Sequence, residues 1–273
     1  MLAPRQMPRE YLAWNRRWGA PRGRVLHRWL RRVPLLGRIV DRSPRLASFF
    51  AFQPNNTSRR YEYPWAFHAT PLVPGMRALE IGGSLSGFQF VLAKSGLSVV
   101  NCDPGKAARG RGWPVTPTTF RALNDTFKTD VELRNTFLQD AGLADESFDR
   151  VFSISTIEHI PETELPALMQ EIERVLKPGG YFIATVDLFL DLEPFTAGVT
   201  TNRWGTNIDI SALCAATSMQ RIIGDPPMLY GFDAFDAAAI RPRIPELLVG
   251  SYPVLIQCLV LQKRPHSPAP SDV

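Results

Sequence analysis

The chain has 273 residues, 45% hydrophobic and 21% charged, which allows one sizeable core with additions and is an ordinary balance for a globular protein. No apolar run approaches the roughly 18 residues of a membrane span, and arginines interrupt the chain from Arg5 on where a secretory signal would be apolar, so a cytoplasmic location is expected. Residues 1–60 hold 14 of the 31 basic residues and only Glu10 and Asp41 of the 26 acids, a net +12; the other 213 residues carry 17 basic and 24 acidic groups, a net −7, which argues against nucleic acid lying across the main body.

In chain order, the arginine-rich segment reads first as helix. Val25, Leu26, Trp29, Leu30 and Val33 recur at helical spacing among arginines, and Pro34 breaks the pattern. Short apolar runs follow at Leu35–Val40 and Leu46–Phe52. This extension, residues 1–60, is expected to cap the domain with its apolar side inward and its arginines in solvent. A basic amphipathic face for an anionic membrane is the second reading. Gln53–Arg60 is a polar linker, and Tyr61, Tyr63, Trp65 and Phe67 form an aromatic cluster.

From Met76 strand and helix patterns alternate. Strands are expected at Arg77–Ile81, Leu97–Cys102, Val131–Phe137, Asp149–Ser155 and Tyr181–Val186, then near Gln220–Ile223 and Val254–Gln262. Helices are expected at Ser86–Ser95, Glu162–Leu176 and around Asp209–Ala216. That alternation implies a mainly parallel sheet with helices on both faces, spanning residues 61–264. Residues 265–273 have the composition of a disordered tail. Cys102, Cys214 and Cys258 form no CxxC pair and read as core residues, so no metal site is expected.

Five pieces carry chemistry. Ala78–Gly87 ends a strand in Glu80 and opens a helix through Gly82, Gly83, Ser84 and Gly87, small residues that let a ligand approach backbone N–H groups. Asp103 closes the second strand, where its two oxygens can take two ribose hydroxyls. These two pieces fit a dinucleotide and an adenosyl cofactor equally. The third, Phe137–Ala141, tips the balance: Asp140 can accept from an adenine amine, and the Ala141 N–H can reach a ring nitrogen. Phe152–Pro161, containing Ser155, Glu158 and His159, leads from the fourth strand towards the next helix. Lys177-Pro178-Gly179-Gly180 then stops that helix and turns the chain into the fifth strand.

In this order the pieces resemble the class I S-adenosylmethionine-dependent methyltransferases of the group that modifies ubiquinone, sugars and natural products. The resemblance is good over Met76–Val186 and looser beyond. It implies a Rossmann-like α/β fold, a seven-stranded sheet of order 3-2-1-4-5-7-6 with the last strand antiparallel. It also implies S-adenosylmethionine as cofactor, with Glu80 near its methionine end, Asp103 on ribose and Asp140 on adenine. Gly82, Gly83, Ser84, Gly87, Ala141 and Ser155 complete the expected cofactor contacts. Ser84 and Ser86 stand where the family has glycines, and they preserve close approach if neither needs a positive φ. A divalent-metal cluster of the Glu-x-x-Glu-His kind is not expected, because its first position is Ser155.

His159 or Asp187 is expected to take a proton from the acceptor; the alternative for His159 is that it only shapes the start of a helix. Acceptor contacts are expected from Tyr63, Trp65, His159, Arg203 and Trp204, with anchoring of the N-terminal segment as the alternative for the aromatics. The acceptor expected is a small molecule. An NAD(P)-dependent oxidoreductase and a non-catalytic module with a basic arm are the competing readings.

Overall fold

The computed structural model describes residues 1–30, 32–33, 36–37, 39, 47–108 and 115–265, without the side chain of Arg28. Leu35, Val40, Leu46 and the tail from His266 lie outside the described residues.

The N-terminal segment supplies α1 (Arg9–Trp18), α2 (Val25–Leu30) and α3 (Arg59–His68). Gly19, in the left-handed region, ends α1 by donating its N–H to the Asn15 carbonyl. Then come β1 (Arg77–Ile81), α4 (Gly87–Lys94), β2 (Ser98–Cys102), α5 (Pro117–Phe127), β3 (Glu132–Arg134), β4 (Phe148–Ile154), α6 (Leu165–Val175), β5 (Leu176–Phe189), α7 (Ile210–Ala215), β6 (Gln220–Ile223) and β7 (Val254–Gln262). Thr116 caps α5 by accepting the Thr119 N–H, ahead of a proline in its first turn. Leu165, Leu168, Met169, Ile172 and Val175 give α6 one buried stripe at helical spacing.

The strands form a single sheet in the order β3-β2-β1-β4-β5-β7-β6, with β7 antiparallel to both neighbours. Side chains alternate across it. Ala78, Val99, Phe152 and Ile183 enter a core shared with α1, α3 and α4, while Leu79, Val100, Val151 and Phe182 enter the opposite core with α6. The Lys177–Gly180 turn interrupts the β4–β5 pairing, since Phe148 faces Leu176 but Arg150 faces Tyr181. Gly179 has φ +79° there. Among the described residues, no helix is long and apolar enough to cross a membrane.

Packing runs across residue 60. Leu2 bridges to Gln257 on β7, and the Ala3 N–H donates to the Ile256 carbonyl. In α1 the buried Trp14 lies against Phe50 and Phe67, with ring centroids 5.9 and 5.6 Å away. The polar stretch expected as a linker instead runs into α3, whose residues Tyr61–Ala66 are all buried.

The arginine-rich segment departs from expectation at α2. There the inward position belongs to His27, whose Nδ1 accepts the Ser48 N–H at 2.8 Å. Val25, Leu26 and Trp29 consequently face solvent, 72%, 59% and 60% exposed. The apolar side of this short helix is not the side that packs.

Candidate active site

A cavity of about 760 Å³ opens at the carboxyl ends of β1, β2 and β4, the end of a parallel sheet where ligands bind. Glu80, Gly82 and Gly83 line it from β1, Asp103 from β2, and Ser155, Glu158 and His159 from the segment after β4. Gln53, Arg59 and Tyr63 close it from the N-terminal side, and Arg203 and Trp204 from the loop beyond β5.

The β1 loop needs its glycines for two different reasons. Gly82 has φ +69°, and a Cβ there would stand 2.3 Å from Thr156 Cγ2. At Gly83 a Cβ would meet Asn101 Oδ1 at 2.8 Å. Gly87 lies off the cavity wall; a Cβ there would strike the Phe49 backbone at 2.7 Å, so its smallness serves packing of the N-terminal arm. Ser86 has an ordinary φ of −59°. Ser84 does not: its φ is +46°, held by three bonds. Its N–H donates to Asp103 Oδ2 at 2.8 Å, and its carbonyl accepts from Gln89 Nε2 and Asn101 Nδ2, each at 3.0 Å.

Asp103 accepts a second backbone N–H, from Gly105, on Oδ1 at 2.6 Å. Both oxygens are thereby fixed in direction, and each keeps a lone pair for a further donor. Burial raises its pKa, while the two N–H groups work against that rise. Glu80 is deeper in the wall. Its Oε1 accepts the Ser86 hydroxyl at 2.9 Å, but Oε2, fully buried, makes no hydrogen bond to any described residue. Burial pushes Glu80 up to about 8; the Ser86 hydroxyl opposes this and the charge of Asp103 adds to it.

Behind the β4 loop lies a cluster that sequence reasoning missed. Glu62, on α3, is completely buried. Its Oε2 accepts from Arg59 Nη1 at 2.7 Å, and its Oε1 takes the Thr185 hydroxyl at 2.8 Å. Ser155, with φ +40°, brings its hydroxyl very close to Glu62 Oε1 and within 3.2 Å of Asp187 Oδ1. A hydroxyl has one hydrogen, so it serves one carboxylate as donor and must accept from the other. Asp187 fits the second role, since burial and the Glu62 charge push it up to about 7. Glu158 is fully buried too, and neither of its oxygens meets a donor from another described residue. Burial and Asp187 raise it well above the usual carboxylate range. For Arg59, burial favours the neutral form, but the Glu62 charge outweighs it and holds the guanidinium cationic.

His159 ends a short helical turn, Ile157–His159, on the cavity wall. Its Nδ1 lies against the Trp204 carbonyl, which can only accept, so Nδ1 carries the hydrogen and Nε2 is the basic nitrogen of the neutral ring. The loop bearing Trp204 is locked there: a Cβ on Gly205 would stand 1.8 Å from the Glu158 carbonyl. Arg203 stacks on the Trp204 ring, 4.4 Å from its centroid.

Several expected residues are placed elsewhere. Trp65 is 3% exposed in the α1–α3 core and does not reach the wall. It anchors the N-terminal helices, while Tyr63 both stacks on Phe88 and borders the cavity. Asp187 stands one layer back, behind Ser155, because it belongs to β5 rather than to the loop beyond it. Asp140 is exposed and off the wall, and the Ala141 N–H is spent on the Leu138 carbonyl at 3.1 Å within a single helical turn. Phe137, Leu138 and Gln139 occupy the wall there instead. Phe137, three residues beyond β3 and directly before that turn, is exposed there. Among the described residues no group of three or more His, Cys, Asp or Glu is arranged to hold a metal ion.

Residues 79–184 match the family model of a methyltransferase domain. The chain is 30% identical over 120 residues to a ubiquinone biosynthesis O-methyltransferase of Rhizobium etli, covering 44% of each chain. It is 27% identical over 124 residues to a sterol 24-C-methyltransferase of Gibberella zeae, covering 45% of this chain and 30% of that one. The matched part thus spans less than half the length of either curated relative. In fold, the chain resembles the Haloferax volcanii complex of the Trm112 methyltransferase activator with a methyltransferase, at TM-score 0.51 and 15% identity over 76% of this chain and 90% of that one. It resembles the 4+2 cyclase SpnF at TM-score 0.50 and 15% identity, over 77% and 86% of the two chains.

Proposed function

We propose a methyl transfer for this chain, whose residues 79–184 form a class I methyltransferase domain with S-adenosylmethionine as its cofactor. The methyl goes to an oxygen or nitrogen of a small-molecule acceptor. The observation that carries the reading is the orphaned Glu80 Oε2, a buried carboxylate oxygen on the wall of a cavity large enough for an adenosyl cofactor. An α-ammonium group supplies the donor it lacks. Arg59, the cation on that side of the cavity, suits the carboxylate of the same amino acid. Asp103 suits the ribose hydroxyls through its remaining lone pairs, and Phe137 and Leu138 offer an apolar surface to adenine.

The cofactor supplies an electrophilic methyl on sulfur, so the chain need only align donor and acceptor and manage one proton. His159 takes that proton at Nε2, with Trp204 fixing its tautomer. Arg203 and Trp204 frame the acceptor side of the cavity. Sugars, lipid-linked precursors and natural products all fit that chemistry; the ubiquinone and sterol names of the relatives favour the lipid-linked class.

The dinucleotide reading loses ground at the sheet, because a dinucleotide fold has the order 3-2-1-4-5-6 whereas here antiparallel β7 sits between β5 and β6. Isothermal calorimetry with adenosylhomocysteine and with NAD tests the cofactor. Binding of the first alone is expected, and Glu80→Gln should weaken it about 10- to 100-fold, as loss of a buried charge-assisted bond does. No adenosylhomocysteine binding by the wild type would sink the reading. A cyclase shares this fold, so turnover needs its own test: release of adenosylhomocysteine from adenosylmethionine in the presence of lipid-linked phenols.

A further inference from the structure

The densest exposed apolar patch lies outside the cavity. Eleven large apolar side chains are exposed among the described residues, and six of them, Val25, Leu26, Trp29, Val33, Leu36 and Ile39, fall within residues 25–39. Large apolar side chains exposed at this density along one stretch of chain mark an interaction segment. The flanking and intervening residues are basic: between Arg22 and Arg45 the sequence has eight arginines against the single acid Asp41. Of these, Arg22, Arg24 and Arg32 are exposed beside the apolar row.

We infer that these exposed residues dock the protein on an anionic lipid bilayer, with the six apolar side chains in the acyl–headgroup boundary and Arg22, Arg24 and Arg32 at the lipid phosphates. Each alternative occupant satisfies only half of the surface. A second copy of the same patch would set the six arginines of residues 22–39, unopposed by any acid there, against six more. Nucleic acid would take the arginines but leave six apolar side chains wet. A bilayer accepts both, and Trp29 is the side chain that most favours its interface. The basis in the fold is the inversion at α2, where His27 rather than Leu26 or Trp29 points inward. The patch is also fastened to the rim of the site. Gly23 packs against Ala51, and Gln53, two residues on, accepts the Leu85 N–H at 2.9 Å and lines the cavity.

The test is co-sedimentation of the full chain with sucrose-loaded vesicles of phosphatidylcholine, with and without phosphatidylglycerol. Sedimentation with the anionic vesicles only is expected, falling as salt rises. Leu26→Glu with Trp29→Glu should weaken it at least tenfold. Both side chains face solvent, so the melting temperature should hold. Arg22→Gln with Arg32→Gln, which leaves the apolar row intact, should cost about fivefold per arginine. A wild type that stays in the supernatant with anionic vesicles overturns the inference. So does equal binding to neutral vesicles, or a Leu26→Glu/Trp29→Glu protein that sediments like the wild type. A lipid-free dimer that this double variant converts to monomer would assign the patch to self-association and overturn it as well.

Discussion

Glu80 makes the site readable through stability. The perturbation is Glu80→Gln, which keeps shape and an acceptor for the Ser86 hydroxyl but removes the titrating group. In the folded chain burial holds Glu80 at about 8, against 4.5 for an unperturbed carboxyl. At about 1.4 kcal/mol per pKa unit, that displacement corresponds to about 5 kcal/mol. The folded state binds the proton more tightly than the unfolded state. Stability is therefore full below about pH 4.5, falls as the unfolded chain ionises first, and reaches its lower plateau above about pH 8. Asp187, raised to about 7, contributes with the same sign, so the wild-type slope alone does not isolate Glu80. The difference between wild type and Glu80→Gln does. Urea unfolding at about pH 5 and about pH 9 should show the variant losing several kcal/mol less than the wild type. Saturating adenosylhomocysteine, whose ammonium would face Glu80, should flatten the wild-type dependence. Coincident pH dependences for the two proteins without ligand would refute the assignment of a neutral, donor-starved Glu80.

Four further outcomes follow from the same geometry. Gly82→Ala should cost about 2 kcal/mol or more in urea unfolding, since it adds a left-handed backbone penalty to a 2.3 Å clash with Thr156. Ser84→Gly should do the reverse, raising stability by about 1 kcal/mol by relieving a φ of +46°; an unchanged midpoint would mean that the three bonds to Ser84 already absorb the strain. Arg59→Met should destabilise by about 3–5 kcal/mol, because it leaves the Glu62 carboxylate buried without its cation. His159→Ala should keep cofactor affinity but lower kcat about 100-fold or more at saturating cofactor, and a wild-type rate would remove His159 from proton transfer.

The parts of the fold legible in sequence are those set by local periodicity. The near-continuous apolar runs that become the buried strands β1, β4 and β5 and the stripe on α6 each follow from the pattern within one segment, and so does the change of direction at Lys177–Gly180. The placement of β7 between β5 and β6 is a long-range pairing, and only the resemblance to a family carried it. Helix α2 shows how periodicity misleads. Its spacing correctly announces an amphipathic helix, but the face that turns inward carries His27, which meets the distant Ser48 backbone and the Phe52 ring.

The site divides the same way. Glu80 and Asp103 could be found because each ends a strand, and strand ends of a parallel sheet converge on one cavity. Asp140 met the same criterion and missed the wall, because a single turn at Leu138–Asp140 rotates its side chain outward and puts Phe137 and Gln139 in its place. Arg59 and Glu62 had no signal. They lie in what reads as the end of a linker and the start of an aromatic cluster, and their partners Ser155 and Thr185 are 96 and 123 residues away. A buried carboxyl keeps its charge only when other groups meet it, and for Glu62 Arg59 is joined by groups that come from β4 and β5 once the sheet has formed. Glu62 then alters what Ser155 can do. A lone Ser155 at the end of β4 would offer its hydroxyl to the cavity; with Glu62 and Asp187 behind it, that hydroxyl is committed backwards, and Glu158 and His159 are what the segment after β4 leaves on the cavity wall.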